Sequence, residues 1–188
     1  MTSRLLSAPA AEPVTLADLK RHLEIDDTAS DDFLTPLIVV ARAAVERLTG
    51  RLMITQSWRL SLDAVPDDGL VRLPVGPVQT VSAVRVFDGV GGSIVWPGSG
   101  YTLDLVGEPA RLLFHGSLPM PGRRLAGIEI DVVAGYGASV AAVPADLVQA
   151  VKLLAAHWYA TRGDVEAGGI PADVAALTGG YRRPRLVA

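Results

Sequence analysis

Residues 31–50 read DDFLTPLIVVARAAVERLTG, and the apolar side chains Leu34, Leu37, Ile38, Ala41, Val45 and Leu48 recur there at three- and four-residue steps. That spacing draws one stripe down a helix of 3.6-residue period. Asp31 and Asp32 stand where carboxylates can cap free amides and oppose the positive end of the helix dipole. Pro36 reads as tolerable because, with Asp32 as N-cap, it falls in the first turn, whose amides have no acceptors inside the helix. Gly50 supplies a left-handed stop, with Arg47 and Arg51 near the negative end.

Before this helix, VTLADLKRHLEID predicts a shorter one, with Thr15 as N-cap and Asp18 closing a capping box. Leu16, Leu19, Leu23 and Ile25 give it an apolar face, and the connector DDTASD makes the two helices an antiparallel hairpin. Residues 1–13, with two prolines and several alanines, read as a flexible arm. Their apolar run is too short for a secretory signal, and no stretch approaches the length of a membrane span.

After Arg51 the period changes from 3.6 to 2. In ITQSWRLSL, Ile54, Trp58, Leu60 and Leu62 share a face with Gln56 as the exception, so a half-buried strand is expected. Further strands are expected over 70–73, 79–87, 93–96, 101–105, 110–114 and 128–133, separated by turn-forming glycine and proline clusters. Short strands at this spacing point to an antiparallel meander or small sandwich. Helical period returns in PADLVQAVKLLAAHWYATRG, with Pro144 at the first helical position and Gly163 as the stop, and Pro171 opens a short helix through Leu177. The fold class is therefore α+β. Residues 14–52 and 144–178 form a helical frame, 53–143 an inserted antiparallel β subdomain, and 179–188 a tail that Gly179 and Gly180 uncouple from the short helix.

Composition limits the function classes. The chain has 188 residues, 49% of them hydrophobic, no cysteine and a net charge of -3. That excludes disulfides and thiolate metal sites, and argues against a nucleic-acid binder working through its whole surface. His22, His115 and His157 fall in three different elements with no partner at metal-ligand spacing. The doublets Asp26-Asp27, Asp31-Asp32 and Asp67-Asp68 fit caps and turns better than a calcium loop, which spaces its ligands alternately. Gly89, Gly91 and Gly92 lack the following helix that a phosphate loop needs. Trp58, Trp96 and Trp158 read as core residues. No residue is nominated as catalytic, cofactor-binding or metal-ligating, and an enzyme would need titratable groups converging in a cleft.

Two features ask for more than a packed core. The runs LIVVA and AVKLLAAHWYA are apolar nearly all round, which points to contacts between subunits; Leu37, Ile38, Ala41, Val45, Val151, Leu154 and Trp158 are the candidates. The tail couples Arg182, Arg183 and Arg185, which suit carboxylates, with Pro184 and the apolar pair Leu186-Val187. One reading of that tail is a small regulatory or nucleic-acid-binding module.

The order of these pieces resembles the head–tail connector (adaptor) proteins of tailed bacteriophages and of phage-like gene transfer agents. The resemblance runs from about residue 14 to 183. It is carried by VTLADLKRHLEID, by DDFLTPLIVVARAAVERLTGR with TQSW directly after it, by LPVGPVQTVSAVRVFDG, by Tyr101, and by VVAGYG followed by VPADLVQAVKLLAAHWYATR. It departs at Thr161-Arg162-Gly163, where the family has an arginine-plus-glutamate ending. The resemblance implies a structural virion protein with no cofactor and no catalytic residues. Its subunits would form a ring, generally dodecameric, that joins the portal to the tail and lines the channel through which DNA leaves. It implies a portal protein and a tail-side stopper or tail terminator as partners. DNA would pass without sequence-specific binding, and no membrane is involved. The place implied is the head–tail neck of a virion or gene transfer agent particle, assembled in the bacterial cytoplasm. The segment sent toward the portal would match Tyr181, Arg182, Arg183, Pro184, Arg185, Leu186 and Val187.

Overall fold

A computed structural model describes residues 1–161 and 169–182. The chain divides into two compact units, one of residues Met1–Pro9 and Thr55–Tyr136, the other of Ala10–Ile54 and Gly137–Ala188.

The helical unit contains α1 (Leu16–Leu23), α2 (Asp31–Thr49), α3 (Ala145–Ala160) and α4 (Ala172–Gly179). Thr15 caps α1 by accepting from the Asp18 amide, and its hydroxyl donates to the Asp18 carboxylate at 2.7 Å, so the capping box forms with aspartate. Helix α2 starts two residues earlier than Asp32 as N-cap would allow, and Ser30 occupies the cap position. Pro36 thus lies in the second turn and deprives the Asp32 carbonyl of its amide partner. The proline is on the exposed side, where water can serve that carbonyl. Gly50 ends α2 at φ 69°, its amide donating to the Glu46 carbonyl at 2.8 Å. Pro144 and Pro171 stand one position before α3 and α4, as N-caps with extended ψ. The stripe Leu34, Ile38, Ala41 and Val45 meets Leu147, Val151 and Leu154, all buried. Truncating a leucine in such a core costs about 2–5 kcal/mol.

The β unit holds β1 (Thr2–Ser7), β2 (Gln56–Leu62), β3 (Leu70–Arg72), β4 (Val78–Phe87), β5 (Ser93–Val95), β6 (Tyr101–Asp104), β7 (Arg111–Phe114) and β8 (Ile128–Ala134). Two antiparallel sheets result, in the orders β1-β2-β8-β4-β5 and β3-β7-β6. The larger one is no meander, because the last strand lies between β2 and β4. One of its faces buries Leu60, Leu62, Val81, Val84, Val86, Ile128, Ile130 and Val132. Gln56, the polar exception on that side of β2, is buried and accepts from the Trp58 indole at 3.2 Å.

Two expectations need correction. Residues 2–7 are no flexible arm: they form β1, which pairs with β2 and belongs to the β unit. Backbone pairing to a strand over fifty residues away fixes them, and all six side chains are exposed. Gly179 and Gly180 do not release the chain after α4 either. Gly179 is helical, Gly180 keeps right-handed geometry, and the amides of Tyr181 and Arg182 continue the turn to the Thr178 and Gly179 carbonyls. Glycine permits a break here but does not impose one.

Candidate functional site

Arg42, on the inner side of α2, is the hub of the helical unit. Its Nε donates to Glu12 at 2.7 Å and its Nη1 to Glu46 at 2.6 Å. The other Glu46 oxygen accepts from the Met53 amide at 2.9 Å. Burial pushes the Glu46 carboxyl above its ordinary 4.5, against the Met53 amide and Arg42, which pull it down. The segments around Glu12 and Met53, which flank the hairpin in sequence, are therefore tied to one helix. Ile54 and Gly137 add an isolated parallel bridge nearby in the chain.

Most of the predicted subunit-contact residues are covered by the unit itself. Ile38, Ala41, Val45, Val151 and Leu154 are buried in the unit's own core, while Leu37 and Trp158 are half-buried. Periodicity located the buried stripe, and four helices are enough to cover it. The apolar side chains left in solvent lie elsewhere on α2: Phe33, Pro36, Val39 and Val40, the last two 40% and 51% exposed. Phe33 also leans on Tyr159, with ring centroids 6.2 Å apart.

Of the predicted portal-binding residues, Tyr181 is held by the helical unit. Its carbonyl accepts from Arg51 Nε at 3.4 Å and its hydroxyl lies 3.3 Å from Asp146. Arg182 follows in the same turn. Arg183, Pro184, Arg185, Leu186 and Val187 lie outside the described residues.

On the polar face of the larger sheet, sequence reasoning missed a charged ladder. Arg59 Nε and Nη2 grip both oxygens of Asp131, at 2.6 and 2.9 Å, and Arg85 bonds the same carboxylate from the other side. Glu129 pairs with Arg59 at 3.1 Å, and Arg123 stacks over Phe87 at 3.9 Å. Burial would raise the Asp131 carboxyl, but the bonds from Arg59 and Arg85 outweigh it and hold it below its ordinary 3.8. Asp131 therefore stabilises the fold above that ordinary value, and the contribution is lost as pH falls through the lowered one. Asp131→Asn should cost about 2 kcal/mol at neutral pH. It should also flatten the acid limb of stability, measured by urea unfolding as pH falls below about 3.8. An unchanged acid limb would show that the ladder is not what responds to acid.

At one end of the β unit the β4–β5 turn and the loop before β8 are joined. Asp88 caps the turn through the amides of Val90 and Gly92, and the Gly122 amide donates to the Phe87 carbonyl at 2.9 Å. A Cβ at Gly122 would run into the Gly89 backbone. Val90 and Met120 are 94% and 89% exposed beside this junction.

The acidic doublets have local roles. Asp31 pairs with Lys20 at 2.7 Å, Asp27 accepts from the Ala29 amide, and Asp68 from the Leu70 amide. His115 bonds Thr102 at 2.6 Å. Among the described residues no group of three metal-ligating side chains comes together. Nor is any described helix long and apolar enough to cross a membrane. What the geometry presents is a braced frame with exposed apolar patches, which is the equipment of an assembly subunit.

Residues 13–86 match the sequence profile of the phage gp6-like head-tail connector protein family. Comparison with curated proteins gives no match. Among solved structures, the chain is similar to a protein in the neck of an empty gene transfer agent particle computed with C6 symmetry, with 34% identity and a TM-score of 0.85. It is equally similar in sequence, at 34% identity, to chains in the virion of a native gene transfer agent particle and in the neck of the native particle computed with C12 symmetry, with TM-scores of 0.84 and 0.82. Each comparison covers 100% of this chain and 98% of the other. Likeness of that identity over the whole length of both partners carries the helical frame and the β insertion alike: the chain belongs to the phage gp6-like head–tail connector family.

Proposed function

We propose that this chain is a structural subunit of the head–tail neck in a phage or gene transfer agent particle. Copies of it form a homo-oligomeric ring, dodecameric in the fullest form, between the portal and the tail, and the ring lines the channel through which DNA leaves. The observation that carries the reading is the end-to-end likeness to a neck protein in particles computed with C6 and C12 symmetry. The portal side is met by residues 181–187, whose arginines suit carboxylates and whose Leu186-Val187 pair offers an apolar anchor. A stopper or tail terminator protein is met by the β unit, where the exposed Val90 and Met120 are side chains available for it. The role is non-enzymatic, and a net charge of -3 suits a conduit that must not retain DNA.

Removing this chain from a producing cell tests the reading. Filled heads and separate tails should accumulate, infectious or transducing particles should fall to background, and a supplied copy of the chain should restore joining. Normally tailed particles without the chain would overturn it.

A further inference from the structure

The outward side of α2 has no role within the unit's core. Pro36, Val39 and Val40 stand exposed there, below the exposed carboxylate of Asp32. Elsewhere in the same unit, a groove of about 420 Å³ opens beside the start of α3, lined by Val140, Val143, Ala145, Val148 and Lys152 among others. It is a mainly aliphatic slot with one amide, Gln149, and one cation. Among the described residues neither Asp32 nor Lys152 has an ion-pair partner. Asp18, whose charge Lys152 feels, is already engaged by Thr15 at 2.7 Å and by Arg21 at 3.2 Å.

We infer that the outward strip of α2 in one copy seats in this α3 groove of the next copy, with Asp32 against Lys152. The register follows from helix geometry. Asp32, Pro36 and Val40 recur at four-residue steps, as do Lys152, Val148 and Pro144. Antiparallel alignment brings 32 to 152, 36 to 148 and 40 to 144, so the charges meet at one end and the aliphatic side chains along the rest. Strip and groove are different surfaces, so the contact is heterologous. Each copy offers both halves, and such contacts make a ring when the rotation from copy to copy closes. Charge complementarity selects this occupant: a strip headed by an acid fits a slot ending in a base, and a second copy supplies both. The inference rests on the ring reading above and names the residues that build the ring.

The chain has no cysteine, so an engineered pair reports without background. Particles carrying Pro36→Cys with Val148→Cys, mildly oxidised, should give a ladder of linked copies that neither single variant gives. Copies present in the particle without a ladder overturn the contact and leave the connector role standing. Absence of the unsubstituted chain from particles overturns the ring reading itself. As a second measurement, Asp32→Lys or Lys152→Asp should each lower incorporation about tenfold, the loss of one close charge pair. Combining the two should restore it to within about twofold, by the same pairing argument. Failure of the double reversal to restore incorporation overturns the pairing.

Discussion

Arg42→Ala should lower the unfolding free energy by about 3–5 kcal/mol, read as a shift of the urea midpoint. The reason is what the missing guanidinium leaves behind. Glu46, 8% exposed, keeps only the Met53 amide as partner, and Glu12 loses its bond altogether. Breaking a buried pair costs more than the pair contributes, because the surviving charge stays desolvated. Against a total stability of about 5–15 kcal/mol, the loss is a large share. Since the burial of Glu46 already raises its carboxyl, the variant should regain stability as pH falls toward the ordinary 4.5, where protonation removes the stranded charge. Arg42→Met with Glu46→Gln should recover much of the loss, since the neutral amide strands no charge and keeps an acceptor for the Met53 amide. A cost under about 1 kcal/mol for Arg42→Ala would mean that water reaches the network freely.

Removing residues 182–188 should leave a folded, soluble protein that no longer joins filled heads, with transducing or plaque titre falling by about 100-fold or more. One short segment with three arginines binds weakly. A ring presents many copies at once, and multivalency multiplies modest affinity without new contacts. The cut belongs after Tyr181, because the Tyr181 carbonyl and hydroxyl meet Arg51 and Asp146 within the helical unit. Circular dichroism should then be unchanged. Full-strength head joining by the shortened chain would assign portal contact to another surface.

The helical frame was legible because α2 and α3 each bury one stripe, and a stripe of 3.6-residue period is visible in one dimension. The seven strands after α2 were legible for the same reason, through period 2 and turn-forming glycines and prolines. Strand β1 was not, because TSRLLS sets Leu5 and Leu6 side by side and exposes both, so no alternation marks it. Its pairing partner is chosen by topology. The Asp131 ladder was hidden for a related reason: Arg59, Asp131 and Arg85 come from three strands, and only the order β2-β8-β4 makes them neighbours. Ile38, Ala41, Val45, Val151 and Leu154 prove buried within their own unit because periodicity finds what a helix buries and cannot say whether its own chain or a neighbour covers it. Val39 and Val40 interrupt the polar face of α2, and the contact inferred above is built on that departure from the pattern.

The place of β8 at the centre of the larger sheet makes completion of that sheet wait on synthesis of its last strand. Strands β2 and β4 do not pair with each other; both pair with β8, the last strand made. Residues 63–127 must leave the ribosome between the end of β2 and the start of β8. At about 5–20 residues per second, β2 waits on the order of 3–13 s with only β1 beside it. During that interval one edge of β2 is unpaired and its apolar face has no cover, the condition in which neighbouring nascent chains on one message stick together. Slowing elongation between residues 63 and 127 should therefore lower the soluble fraction even though the finished fold is unaltered.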